Sequence, residues 1–129
     1  MKKEVFILFL FPLIVLGQNI DSLKLALKNA KHDTTRCNVL SLLAETASDS
    51  EWPVFNEQLK TLSEKKAAEG GKLKMVYLKF LAGALNNIGF LADMQGNTSK
   101  ALESHDKSLK INAELGNKSG MASTFTNLG

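Results

Sequence analysis

The segment Ala84–Gly89, with the sequence ALNNIG, is echoed at the end of the chain by Phe125–Gly129, with the sequence FTNLG. Asn87 and Asn127 hold matching places in the two segments and lie 40 positions apart. Between the two segments, a turn rich in Gly and Asn separates two helical apolar patterns. A period of about 40 residues that joins two helices through a short turn is typical of helical repeat proteins. The echo therefore predicts an all-α fold made of antiparallel helix pairs.

Apolar residues at helical spacing indicate where the individual helices lie. Pro53 lies in the first turn of a predicted helix, where proline is tolerated, and Gly70-Gly71 is an effective helix stop. Gly83 and Gly89 fall inside the longest pattern, where each costs about 1 kcal/mol relative to Ala, so we expect another helix backbone to approach closely at both. The predicted helices cover about 21–30, 34–48, 52–69, 72–94, 98–115 and 119 onwards.

The N-terminus has the layout of a secretory signal peptide. Lys2 and Lys3 precede an apolar run, 5–16, which is shorter than the roughly 20 residues that a membrane-spanning helix needs. Pro12 within this run also disfavours a long anchor helix. We interpret 1–17 as a signal peptide cleaved after Gly17, with an uncleaved N-terminal anchor as the alternative, and expect the mature chain to be exported.

Charge and cysteine content narrow the possible partners. The formal net charge of the whole chain is +3, and the lysines are interleaved with acids in every segment. No stripe of one sign is therefore expected to follow a phosphate backbone, and we expect no nucleic-acid partner. Cys37 is the only cysteine, and its apolar surroundings favour a buried, inert thiol.

No catalytic set, metal site or cofactor site is recognisable in the sequence. His32 and His105 are the only histidines, and neither has acids or Cys at metal-ligand spacing. His105 lies on an apolar stripe and is expected in the core, whereas His32 is expected in a solvated turn. The glycines at 70–71, followed by Lys72, lack the preceding strand and the spacing of a phosphate-binding loop. We therefore expect this segment to be no enzyme and to hold no cofactor and no metal.

The chain resembles the tetratricopeptide repeat family from Leu85 to Ile111, and again from Ala122 to Gly129. The resemblance implies an α-solenoid whose paired helices approach most closely at Gly89 and Ala101. Ala92 and His105 depart from the pattern, because the family usually places aromatic residues there. The matching packing positions are Leu85, Ile88, Gly89, Gly96, Ala101 and Ser108, and then Phe125, Leu128 and Gly129.

The same resemblance divides the chain into successive units. The weakest match is the unit 33–71, which shows the period and the apolar stripes without the signature residues. The expected units are a signal peptide (1–17), an N-terminal capping helix (18–32), a divergent helical repeat (33–71), a tetratricopeptide repeat (72–118) and the start of a further repeat (119–129).

Members of this family bind proteins or peptides on a concave face lined by the first helix of each pair. The resemblance thus implies a protein or peptide partner, and we expect the amides of Asn86, Asn87 and Asn127 to contact it there. The alternative is that Asn87 forms its hydrogen bonds within the helical stack.

The layout of signal peptide and repeats also resembles exported sensor regions of Bacteroidota-type bacteria. That likeness implies a periplasmic location. A second prediction is therefore a sensory region of a larger signal-transduction protein, followed beyond Gly129 by a histidine kinase, a nucleotide cyclase or a transcriptional regulator. Membrane attachment would then come only through a downstream transmembrane helix.

Overall fold

The computed structural model describes residues 20–128, and this part of the chain is helical throughout, without strands. The all-α class is therefore confirmed. The proposed signal peptide and Gly129 lie outside the described residues. The helices are α1 (20–29), α2 (Asp33–Thr46), α3 (Trp52–Glu69), α4 (Lys74–Met94), α5 (Thr98–Leu115) and α6 (Lys118–Leu128).

Two Gly-Asn pairs make the turns after α4 and α5. Gly96 and Gly116 have φ values of +74° and +65°, a left-handed conformation that glycine adopts without a Cβ penalty. The following asparagine caps the next helix, since Asn97 Oδ1 accepts from the Lys100 N–H at 3.1 Å. Each turn takes only two or three residues, so consecutive helices run antiparallel.

The helices form a curved, repeat-like array. Every helix from α2 onward packs against the next one along the chain. In addition α2 contacts α4 and α4 contacts α6, whereas α3 and α5 do not contact each other. The described helices therefore place α2, α4 and α6 on an inner side, where they converge, and α3 and α5 on an outer side, where they spread apart.

Helix α4 is the centre of the array. Among the described helices it alone is long and apolar enough, by length and composition, to cross a membrane. It contacts α2, α3, α5 and α6, and a helix that packs against several neighbours is apolar over much of its surface. Ala82 and Ala84 are fully buried and let the flanking helices come close. Packing within the array thus accounts for part of the apolar composition of α4, whereas Met75, Phe90 and Met94 of this helix are exposed.

The apolar core lies between α2, α3 and α4. Leu40, Leu59 and Tyr77 are buried in it, one from each helix. Leu27 of α1 packs against this cluster, which places α1 over the first helix pair. The N-terminal helix therefore extends the core.

The two glycines inside α4 have different surroundings. A Cβ at Gly89 would lie 2.6 Å from His105 Cε1, so the missing side chain makes room for the imidazole ring. Gly83 is exposed, and a Cβ there would meet no atom within 4 Å. The expected close approach of a helix backbone is therefore wrong for Gly83, and at Gly89 the close neighbour is a side chain.

Helix α6 turns its polar side towards the array. Phe125 and Leu128, two of the packing positions that the resemblance implies, are 55% and 40% exposed, and Thr124 is the buried residue. The burial of Thr124 is explained by a hydrogen bond between helices, because Thr124 Oγ1 is 3.3 Å from Ser108 Oγ of α5. A buried hydroxyl on α5 is better satisfied by a hydroxyl than by an apolar side chain.

Substitution of the two α4 glycines tests these surroundings. Gly89→Ala is expected to lower the free energy of unfolding by about 1–3 kcal/mol, because the added methyl group displaces the His105 ring. The matched change Gly83→Ala is expected to raise it by up to about 1 kcal/mol, since the site is open and alanine favours the helix. Urea unfolding followed by circular dichroism measures both. Changes of the same sign in the two variants would contradict this account.

The buried thiol gives a second prediction. Cys37 has no exposed surface, and burial, together with the Asp33 carboxylate, raises its pKa from 9.0 to about 11. Thiol reagents at pH 8 should therefore react with Cys37 only after unfolding. The free energy of unfolding should also fall as the pH rises from about 9 to 11, because the unfolded chain loses the thiol proton first. Cys37→Ala should remove this decrease in the free energy of unfolding with pH. Equal rates of thiol labelling with and without urea would disprove the burial of Cys37.

Candidate functional site

A groove runs along the inner side of the array. Its larger part encloses about 660 Å³ between α2, α3, α4 and α6, and a smaller part of about 270 Å³ continues between α4 and α6. The two parts share Lys79, Gly83, Asn86 and Ser123, so they form one continuous surface. Gly83 leaves the middle of this surface open, because no atom of the described residues lies within 4 Å of the place where its Cβ would be.

The lining of the groove mixes hydrogen-bonding and apolar groups. Helix α2 contributes Asn38 and Ser41, and α4 contributes Val76 and Phe80. The asparagine is exposed, and its amide makes no hydrogen bond to another described residue. Amides beside apolar side chains suit a peptide, whose backbone needs hydrogen bonds and whose side chains need apolar contacts.

Asn86 connects α4 to both α5 and α6. Its Oδ1 accepts from His105 Nδ1 at 3.0 Å and from Asn127 Nδ2 at 3.2 Å, while its Nδ2 donates to Ser123 Oγ at 3.3 Å. The residue is 8% exposed, so most of its side chain serves these internal contacts. Asn86 nevertheless lines both parts of the groove.

Asn87 connects α4 to α3. Its Nδ2 donates to Asn56 Oδ1 at 2.9 Å, and Asn56 Nδ2 donates in turn to the carbonyl oxygen of Ala84 at 3.0 Å. Asn56 is fully buried, and the methyl side chain of Ala84 leaves that carbonyl within reach. This geometry matches the alternative in which Asn87 bonds within the stack, although Asn87 also borders the groove.

The three predicted amides therefore hold the helices together. Asn127 of α6 donates to Asn86 of α4. The amide that Asn127 meets is therefore Asn86, and not Asn87, which holds the matching place in the repeated sequence. Contact of Asn86, Asn87 or Asn127 with a partner stays a prediction. The exposed groove amide is Asn38 instead, which the sequence did not single out because α2 lacks the repeat signature.

His105 is fully buried, which confirms its expected core position. Its ring lies against Gly89, and both ring nitrogens face oxygen atoms. The Nδ1–H donates to Asn86, whereas Nε2 makes no hydrogen bond within residues 20–128 and lies 3.4 Å from Asp93 Oδ2. The histidine thus fills an aromatic place in the packing and also supplies the donor that orients the Asn86 amide.

A second set of buried polar side chains joins α5 to its neighbours. Ser108 Oγ donates to the Ala82 carbonyl oxygen at 2.7 Å, which fixes α5 against α4. Asn117 Nδ2 donates to Asn112 Oδ1 at 2.9 Å, and Asn117 Oδ1 accepts from the Gly120 N–H at 3.2 Å. The sequence indicates Ser108 as a packing position but gives no sign of this hydrogen bond, because the acceptor is a backbone atom 26 residues away.

The remaining candidates for chemistry are scattered. His32 is exposed at the start of α2, as expected. Within residues 20–128, no three His, Cys, Asp or Glu side chains come together in an arrangement that could hold a metal ion.

Comparison with known proteins gave no match, since no protein-family model, no curated protein and no solved structure matches this chain. The relation to tetratricopeptide repeats therefore remains a prediction from the sequence.

Matched asparagine substitutions separate structural amides from free ones. Asn86→Ala is expected to lower the free energy of unfolding by about 1–3 kcal/mol, because His105, Ser123 and Asn127 lose a buried partner. Asn38→Ala removes an exposed amide that makes no hydrogen bond to another described residue. This change should alter the free energy of unfolding by less than about 0.5 kcal/mol. Thermal and urea unfolding of the two variants check this difference, and equal destabilisation would show that the groove amides are not divided in this way.

Proposed function

We propose that this chain is a non-catalytic helical repeat module, an α-solenoid of the tetratricopeptide type, that binds a protein or peptide in the groove of α2, α4 and α6. The observation that carries the proposal is the groove itself. It is lined mainly by the first helix of each successive pair and combines the exposed amide of Asn38 with apolar side chains.

The burial of four repeat-signature residues in the α4–α5 pair supports the family part of the proposal. Leu85, Gly89, Ala101 and Ser108 are all buried where α4 packs against α5. Gly96 makes the turn between these helices with a left-handed backbone. Small residues at a helix contact and a glycine at the turn are what a helix pair of this kind requires.

The groove also suggests how a peptide would bind. The free amide of Asn38 can donate to a peptide carbonyl and accept from a peptide N–H. Gly83 lets a backbone approach α4 closely, and Val76 and Phe80 offer apolar contact to a peptide side chain. Lys79 and Glu45, both exposed and unpaired in the described structure, add a charge of each sign at the groove.

Export to the periplasm belongs to the same proposal and rests on residues 1–17. A binding module there would serve equally as a separate protein or as the sensory region of a signalling protein. Mass spectrometry of the chain recovered from the periplasm, with an N-terminus at Gln18, would support export. Recovery of the chain only in the cytoplasm would argue against it.

Substitutions that leave the fold intact test the binding groove. Peptides selected on the purified chain from a random displayed library provide the ligand, and fluorescence anisotropy gives the dissociation constant. Asn38→Ala is expected to weaken binding about threefold to tenfold, through the loss of a hydrogen bond. Gly83→Gln should abolish binding, because the new side chain occupies the groove.

Ala113→Gln is the matched control, since it places the same side chain at an exposed position of α5 on the outer side. It should bind the selected peptides as the wild type does. Unchanged affinity in both groove variants, with their stability maintained, would overturn the proposed site.

A further inference from the structure

Three of the turns lie at one end of the array. The turns before α2, α4 and α6 share this end because consecutive helices are antiparallel. Arg36 Nη2 donates to the Ala30 carbonyl oxygen at 2.9 Å, which joins α1 and α2, and Lys66 Nζ lies 3.4 Å from Asp33 Oδ2, which joins α3 and α2. A hollow of about 380 Å³ lies at the same end, between Met75 of α4 and Leu115 of α5.

Cations gather at this end, which we call the basic end. Arg36 and Lys66 form ion pairs with Asp33 and Glu69, so the charge of these two acids is balanced locally. Glu64 and Glu114 are the other acids of the described chain near these turns. Six lysines are exposed and make no ion pair with a described residue. They are Lys28, Lys31, Lys65, Lys72, Lys74 and Lys118.

The opposite end is acidic. Lys24 and Lys100 are the cations near it, and Lys24 is paired with Glu51 at 2.7 Å. Alternate reversals of the chain bring lysines from four segments together at the basic end, beside the acids Asp33 and Glu69. The acids at this end are Asp21, Glu45, Asp49, Glu51, Glu57 and Asp93.

Apolar side chains are exposed among the lysines of the basic end. Leu73 and Met75 are 48% and 55% exposed, and they alternate along the chain with Lys72 and Lys74. Val76 extends the apolar surface towards the hollow beside Leu115. An apolar surface that is surrounded by lysines meets the two requirements of a lipid interface, which are charge attraction and a contact with acyl chains.

We propose that the basic end docks on an anionic lipid surface, with its lysines at the phosphate groups and with Leu73 and Met75 at the boundary of the acyl chains. This goes beyond peptide binding, since it uses a different surface. A lipid surface is favoured over a nucleic acid because apolar side chains would lie against phosphates in the latter case. In the described structure, the exposed rings of Phe90 and Phe125, which could stack on bases, lie towards the opposite end.

Vesicle co-flotation tests the proposal. The purified chain should float with vesicles of phosphatidylglycerol and phosphatidylcholine, but not with phosphatidylcholine alone, and added salt should weaken the binding. Combined substitution of Lys72, Lys74 and Lys118 by Gln should reduce partitioning roughly tenfold or more. Residues 1–17 are common to all variants and therefore cannot cause this difference.

The matched control replaces Lys60, Lys100 and Lys107 by Gln, which removes the same charge away from the basic end. This variant should partition nearly as the wild type does. Met75→Gln should also weaken binding, whereas Leu102→Gln, at a residue as exposed as Met75 but on α5, should not. Circular dichroism shows that each variant is folded.

Three results would overturn the proposal. The first is an equal loss of partitioning in the two lysine variants, because net charge alone would then explain binding. The second is equal binding to neutral and anionic vesicles. The third is tight binding of a mixed-sequence oligonucleotide together with no vesicle binding, which would identify a nucleic-acid surface. Gly83→Gln should retain vesicle binding, so failure at the groove and failure at the basic end remain distinguishable.

Discussion

The Asn86 side chain is the contact on which the inner side of this array depends. One amide on α4 accepts from His105 of α5 and from Asn127 of α6, and the adjacent Asn87 reaches α3 through Asn56. Burial makes each of these hydrogen bonds costly to lose, because a polar group left unpaired inside a protein forfeits its solvation. The asparagine pair therefore fixes how α3, α5 and α6 sit around α4, and the shape of the groove follows from that arrangement.

Much of the fold could be predicted from the sequence, because helices and turns are encoded locally. The Gly-Asn pairs, the proline at the start of α3 and the glycines at 70–71 all fall where the helices begin or end. The orientation of α6 could not be predicted in this way. Its buried Thr124 responds to Ser108 on another helix, and no local pattern reports a polar partner across a helix contact. Gly83 was misjudged for a related reason, since its surroundings depend on how far α2 and α6 stand from it.

The candidate site was predicted only in part. The sequence identified the face of α4 that lines the groove, because the asparagine pair lies within the repeat-like segment. It missed Asn38, whose exposure depends on the curvature of α2, α4 and α6, and it missed the charge separation. Lysines such as Lys31, Lys72 and Lys118 are far apart along the chain and come together only because each turn returns the backbone to the same end. Residues that function as a set across several turns leave little signal in a one-dimensional pattern.

The short turns also govern how the chain reaches its native state. Only two or three residues separate α5 from α4 and from α6, so packing of these neighbours closes small loops and costs little chain entropy. Proteins dominated by contacts between residues near in sequence fold in microseconds to milliseconds. Each helix has its packing partner available as soon as the next turn is made, so the array is suited to assemble progressively from one end as the chain emerges during synthesis.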